Sequence, residues 1–176
     1  VEDHLLREPQ IGVYPLFHQG DGFKVYWGCV DWDSGLQESF VHARNVHEVL
    51  RQVGVTSHVE RSRSKGYHLW VFFTKEMPAP DVRTGLIAAC DVVGAPTKEV
   101  NPKQVELSDR GWGNGVRLPY GKNRPKGGYN EMTNPDATIS MIPVHAFTKR
   151  AMESLVTPEA WEAVTALYSP PEALSE

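Results

Sequence analysis

Cysteine is nearly missing from this 176-residue sequence: Cys29 lies in an apolar run, Cys90 lies in an apolar helical pattern, and neither forms a Cys-x-x-Cys pair. A disulfide framework and a zinc ribbon are therefore excluded, no zinc is expected within these residues, and a reducing, cytoplasmic setting suits the chain. There is no signal peptide and no apolar run long enough to span a bilayer, so no membrane partner is implied. The seven histidines contain no His-x-His pair, which removes the ligands a replication-initiator nuclease with a nucleophilic tyrosine would need. Internal repeats are also lacking. The initiator methionine is absent and the chain ends on a polar stretch, as expected of a piece of something longer.

What is present is globular: 40% hydrophobic and 23% charged residues, enough for one domain with a core and, at most, a small appended lobe. The net charge of −4 argues mildly against a nucleic-acid partner, but its distribution matters more. Basic residues gather between 58 and 126, from Arg61, Arg63 and Lys65 through Lys98 and Lys103 to Arg117, Lys122, Arg124 and Lys126, while both ends are acidic. Either one phosphate-binding face or a solvated charged surface accounts for that pattern.

The stretch that organises the chain is Phe23 to Asp33. Phe23, Val25, Trp27 and Cys29 alternate with Lys24, Tyr26, Gly28 and Val30, and β-branched and aromatic types dominate, which predicts a buried strand. Side chains two apart on a strand share a face, so Asp31 and Asp33 stand side by side where the strand runs out. Two carboxylates so placed repel and call for cations or for solvent. A divalent-metal site is one reading, and a turn beginning Asp33-Ser34-Gly35 is the other.

Ahead of that strand, Val13 to Phe17 reads as a short extended run carrying Pro15, and His18 to Gly22 as the turn of a hairpin; residues 1–12 suit a frayed helix. After it, Ser39 is expected to cap a helix from Phe40 to Val53, closed by Gly54. His58 to Phe73 reads as two strands around a Ser64-Lys65-Gly66 turn, whose hydroxyl, ammonium and backbone amides are shaped to hold phosphate oxygens, with His68 beside it as a further donor. Pro80 to Val93 has helical periodicity and closes at Gly94. This order, strand–helix–strand–strand–helix, predicts an α+β fold with an antiparallel, RNA-recognition-motif-like sheet backed by helices and an additional N-terminal αβ portion. Beyond a Gly-rich loop at 111–115 and a basic loop at 121–128, the sequence predicts a strand over Ile139–Ile142 and helices over His145–Leu155 and from Pro158 to about Tyr168, the latter capped by Thr157. The division expected is a core over 1–130 and, over 131–176, a final strand and helices that pack on it or lead to a further domain.

Asp31 and Asp33, the Ser64-Lys65-Gly66-Tyr67-His68 turn, a third acid near Glu99 and a basic Gly-rich tract occur in that order, and together they resemble the archaeo-eukaryotic primase superfamily, the primase-polymerases of phages, plasmids and mobile elements. The stretch from His58 through Ser64 to Phe73, then Asn101-Pro102-Lys103-Gln104, Gly113-Asn114 and Leu118-Pro119 carry the likeness over roughly residues 13–128. Ordered motifs at compatible spacing are far more specific than any one alone. By this resemblance Asp31 and Asp33 hold two divalent ions, Mg2+ or Mn2+, completed by Glu99 with Glu106 and Asp109 as rivals. Arg63, Ser64, Lys65, His68 and Arg117 grip the nucleotide, and Lys103, Asn114, Lys122, Asn123 and Lys126 meet the template. The implied activity is template-dependent nucleotidyl transfer, making primers or extending DNA, in the cytoplasm of a bacterial, archaeal or phage-infected cell. The implied partners are a single-stranded DNA template, a primer strand and NTP or dNTP, with a helicase or accessory domain in the longer protein.

The residue types agree with that chemistry. Nucleotidyl transfer uses two cations about 4 Å apart, and carboxylates are the hard oxygen ligands such ions prefer. The competing expectation is a non-catalytic RNA-recognition-like module that binds single strands. That would place stacking aromatics on the sheet face, rather than acids at a strand end.

Overall fold

The computed structural model describes residues 11–62, 65–108, 111–121, 131–133 and 141–168. Its centre is an antiparallel sheet built on β3 (Gly22–Trp32), the strand predicted from the alternation of aromatic and β-branched residues. β2 (Phe17–Gln19) forms the predicted hairpin with β3, pairing Phe17 with Lys24. On its other edge β3 pairs with β5 (Tyr67–Pro78), β5 with β4 (His58–Arg61), and β4 with β8 (Glu131–Thr133), all antiparallel. A two-residue strand, β6 (Val100–Asn101), lies against the end of β3 through Cys29 and Val30.

Two helices back this sheet, in the order expected. α1 (Leu36–Gln52) buries Ala43, Val46, Val49 and Leu50, and α2 (Ala79–Val92) buries Val82, Leu86, Ala89 and Cys90. Spacings of three and four residues put each set on one helix face, against Val30, Leu69 and Val71 of the sheet. Both helices stop where the sequence places a glycine, Gly54 at φ +82° and Gly94 at φ +64°, a backbone region that costs glycine nothing. α4 (Pro158–Thr165) is capped as predicted, Thr157 Oγ1 accepting from the Ala160 N–H at 3.2 Å, and it buries Trp161 edge-on against Phe73. α3 (Val144–Glu153) lies on the opposite side of the sheet, where Phe147 meets His58, Phe72 and Tyr120.

Two expectations need correction. The run Val13–Phe17 divides at the donor-less Pro15: β1 (Gly12–Val13) leaves the main sheet to pair with β7 (Val116–Arg117), and β2 begins afresh at Phe17. The first helix starts at Leu36 rather than Phe40, with Gly35 at its N-cap; Ser39 is buried inside the first turn, its hydroxyl accepting from the Ser34 N–H at 3.1 Å. Half of the strand expected over Ile139–Ile142 lies outside the described residues; in the other half Met141 bridges Thr133 antiparallel and Ile142 N–H donates to the Met132 carbonyl, beside β8 (Glu131–Thr133). The expected helix over residues 1–12 falls almost wholly outside the described residues.

Candidate active site

A single cross-strand row brings the functional side chains together. In the sheet register Asp31 of β3 stands opposite His68 of β5, and His68 opposite Glu60 of β4. Directly paired residues leave an antiparallel sheet on the same face. Here it is the face away from α1 and α2, since Val30, Leu69 and Val59, one residue along, belong to the helix-backed core. His68 Nδ1 lies 2.9 Å from Glu60 Oε2, and its Nε2 3.3 Å from Asp31 Oδ1. An imidazolium fits both contacts, with Nδ1–H donating to Glu60 and Nε2–H within ion-pair range of Asp31. Burial alone would lower the pKa of His68, but the Glu60 charge and the hydrogen bonds to Asp31 and Glu60 overrule it and push it up to about 10. Glu60 is fully buried; its Oε2 also accepts from Trp70 Nε1–H at 2.7 Å.

At the end of β3, backbone and indole contacts stitch a second segment alongside. Asp31 N–H donates to the Glu99 carbonyl at 3.1 Å, and Trp32 Nε1–H to the Pro96 carbonyl at 2.9 Å. Between them opens a cleft of about 430 Å³ lined by Asp31, Trp32, Asp33, Ser34, Pro96, Lys98 and Glu99. All three predicted acids therefore reach one cavity. The β4–β5 turn closes with Ser62 N–H donating to the Gly66 carbonyl at 3.0 Å. A Cβ on Gly66 would run into the Trp32 carbonyl oxygen, so the absence of a side chain lets the turn lie against the strand end. Lys65 then reaches Asp33 at 3.8 Å, with both side chains more than half exposed.

Each acid thus meets a cation: Asp31 meets His68, Asp33 meets Lys65, and Glu99 meets Lys103, whose ammonium lies 2.7 and 2.9 Å from the two carboxylate oxygens. With Glu99 turned onto Lys103, no three His, Cys, Asp or Glu side chains among the described residues converge into a ready-made metal cage. The donor set nevertheless suits a hard divalent ion. It consists of the carboxylates of Asp31, Asp33 and Glu99, whose side chains are 38%, 57% and 40% exposed on one cleft, while both His68 nitrogens are engaged. Cys29, on the same face as Asp31, supplies no soft ligand. Burial first, then the Glu60 and Asp31 charges, push its thiol well above the ordinary range and keep it protonated.

A family model described as the archaeo-eukaryotic primase domain of TOTE conflict systems matches residues 1–141. The chain belongs to that family. No curated protein matches it. Membership puts this primase domain in a primase-like nucleotidyltransferase class whose substrates are nucleotides and nucleic acid, and whose members generally use divalent metals.

The other expected site residues of the primase domain fall in several places. Arg63, Ser64, Lys122, Asn123 and Lys126, and the rival acid Asp109, lie outside the described residues. Glu106 is exposed and does not line the cleft. Arg117 is on β7 and exposed, also apart from the cleft lining. Asn114 is used internally, its backbone N–H and side-chain carbonyl both bound to the Gln104 amide. Two residues join the site that motif spacing did not single out. Lys98 lines the cleft beside Glu99, a placement signalled only by its adjacency. Glu60 pairs with His68, and nothing local signals it, since Arg61 beside it on the same short strand is charged as well. No helix among the described residues is long and apolar enough to cross a membrane.

Proposed function

We propose that this primase domain is a template-dependent DNA primase or polymerase, joining nucleotides by a two-metal mechanism. The observation that carries this reading is the convergence of Asp31, Asp33 and Glu99 on one cleft that also holds Lys98 and is bordered by the His68 imidazolium. Asp31 and Asp33, with Glu99 as the third carboxylate, are the residues to hold magnesium or manganese. Two such ions would supply activation of the 3′ hydroxyl and neutralisation of the leaving pyrophosphate. His68, Lys65 and Lys98 supply N–H donors and positive charge for the phosphates, the role that the motif also assigns to Arg63 and Ser64. The basic residues Lys103, Arg117, Lys122 and Lys126, with Asn114 and Asn123, are assigned to the template and nucleotide backbone, which they would hold without reading sequence.

The sheet face weighs against the non-catalytic alternative. An RNA-recognition-like module stacks bases on exposed sheet aromatics. Here Trp70 is 1% exposed and packs with Cys29, Val116 and Met132 in a second apolar cluster, against which Phe147 lies.

The test is primer synthesis on single-stranded DNA with manganese or magnesium and labelled nucleotides, comparing the native chain with Asp31→Ala/Asp33→Ala. Short products from unprimed template, lost in the double variant, are expected of a primase. Extension of a supplied primer alone would restrict the assignment to a polymerase. A folded protein that incorporates nothing in either format would overturn the catalytic reading.

A further inference from the structure

Glu60 is the one fully buried acid in the described core, and it is poorly satisfied. Its Oε2 accepts from both His68 and Trp70, while its buried Oε1 has no partner among the described residues. An acid retained only for stability is ill served by such a site, because an apolar residue of similar volume is often as stable as a buried ion pair or more so. What Glu60 does fix is a ring. Taking the Nδ1–H of His68 leaves the imidazole a single orientation, in which Nε2–H faces Asp31, one of the residues that line the cleft. The arrangement is rigid because all three residues occupy one row of hydrogen-bonded strands, and Trp70 holds the same carboxylate oxygen from two residues along.

We propose that Glu60 is a positioning residue, which holds His68 with its Nε2–H presented beside Asp31, and that the grip of the cleft on a nucleoside triphosphate depends on it. The triphosphate part rests on the nucleotidyl-transfer reading; the Glu60–His68 part does not. Glu60 is fully buried and does not line the cleft, so its route to the cleft is His68.

The experiment has two arms. Imidazole nitrogen–proton NMR correlations on the native protein should show a His68 Nδ1–H protected from exchange with water. In Glu60→Gln, whose amide oxygen still accepts but carries no charge, that proton should shift upfield and exchange faster. A native His68 with no proton at Nδ1, or a signal unmoved by E60Q, overturns the positioning role, and the native measurement decides even where the variant fails to fold. In the second arm, dATP with Mn2+ is titrated into native protein, E60Q, His68→Ala and the double variant. E60Q should weaken binding on the order of tenfold, as loss of a second partner of a functional histidine does. The double variant should bind no more weakly than His68→Ala. Equal penalties for E60Q in both backgrounds would show that Glu60 acts elsewhere and overturn the proposal. Native protein that binds no dATP overturns the triphosphate dependence together with the nucleotide reading, while the NMR arm still decides whether Glu60 positions His68.

Discussion

Mild acid should loosen the fold through His58. This histidine is 6% exposed, with its ring 5.7 Å from that of Phe72 and edge-on to Phe147 at 5.4 Å between centroids. Burial, with smaller contributions from the positive charges of Arg150 and His47, lowers its pKa from 6.5 to about 4. The folded state therefore keeps the ring neutral where the unfolded chain takes up a proton. Across that interval the unfolded state binds more protons, so stability is full above pH 6.5 and falls as the pH drops towards 4. At 1.36 kcal/mol per unit the whole shift amounts to about 3 kcal/mol, a large share of an ordinary domain's stability. The other large shifts act in different windows. His68, raised to about 10, contributes stability that is present below pH 6.5 and lost as pH rises towards 10. Glu48, held at about 2 by Arg51 and Gln52, acts below pH 4.5. Urea unfolding followed by tryptophan fluorescence between pH 7 and pH 4.5 should show the midpoint falling steadily in the native protein and much less in His58→Phe, which keeps an aromatic ring without the proton site. A native midpoint that stays constant over this range, or an equal fall in the variant, refutes the reasoning.

Gly66→Ala pushes a Cβ into the Trp32 carbonyl and should cost about 1–3 kcal/mol by overpacking while displacing the Lys65 turn from Asp33. Thermal melts and a raised KM for nucleotide check it, and unchanged values in both would show that the turn is not held where the structure puts it. Ser39→Ala removes the buried hydroxyl that accepts from the Ser34 N–H and should cost about 1 kcal/mol, read as a lower urea midpoint. Lys103→Met leaves the Glu99 carboxylate without its ammonium and should lower the Mn2+ concentration needed for half-maximal activity. An unchanged metal requirement with weaker binding to single-stranded DNA would assign Lys103 to the template instead.

The sequence made the central strand and its helices legible because each rests on a local pattern: alternation for β3, three-and-four spacing for α1 and α2, and a threonine before a proline for α4. The misplacements came where a side chain serves a role other than its usual one. Ser39 looks like an N-cap, yet it binds back to Ser34 from within the helix, so the helix starts earlier than the cap rule gives. Asp31, Asp33 and Glu99 were recoverable as acids by motif, but their common cleft depends on the hydrogen bond between Asp31 and the Glu99 carbonyl, 68 residues apart in the chain, which no local pattern encodes. Glu60 was hidden for a related reason. Within His58-Val59-Glu60-Arg61 it reads as one of two adjacent charges on a strand, and only the register of β4 on β5 sets it against His68. Lys103 and Asn114 show the converse, since a motif can name a residue without revealing that Glu99 or Gln104 already occupies it.

The three acid–cation pairs explain how such a site folds with three carboxylates on one cleft. Asp31, Asp33 and Glu99 come from a strand, the residue just after it and a segment 66 residues or more further along, and an unpaired cluster of this kind would repel itself open. The neutralising cations come from elements that also shape the cleft: His68 from β5, Lys65 from the turn that Gly66 allows against β3, and Lys103 from the stretch after β6. The exposed pairs, Asp33 with Lys65 and Glu99 with Lys103, lie in high dielectric and hold the acids weakly, so a divalent ion or a phosphate can take either partner at small cost. The buried arm is different. His68 stays charged because Glu60 stands behind it, so a positive group remains at the cleft whichever way Asp31 turns. The outer pairs can exchange partners while the inner row keeps its geometry, which is what a site must do if it is to bind both cations and a polyanion in one cavity.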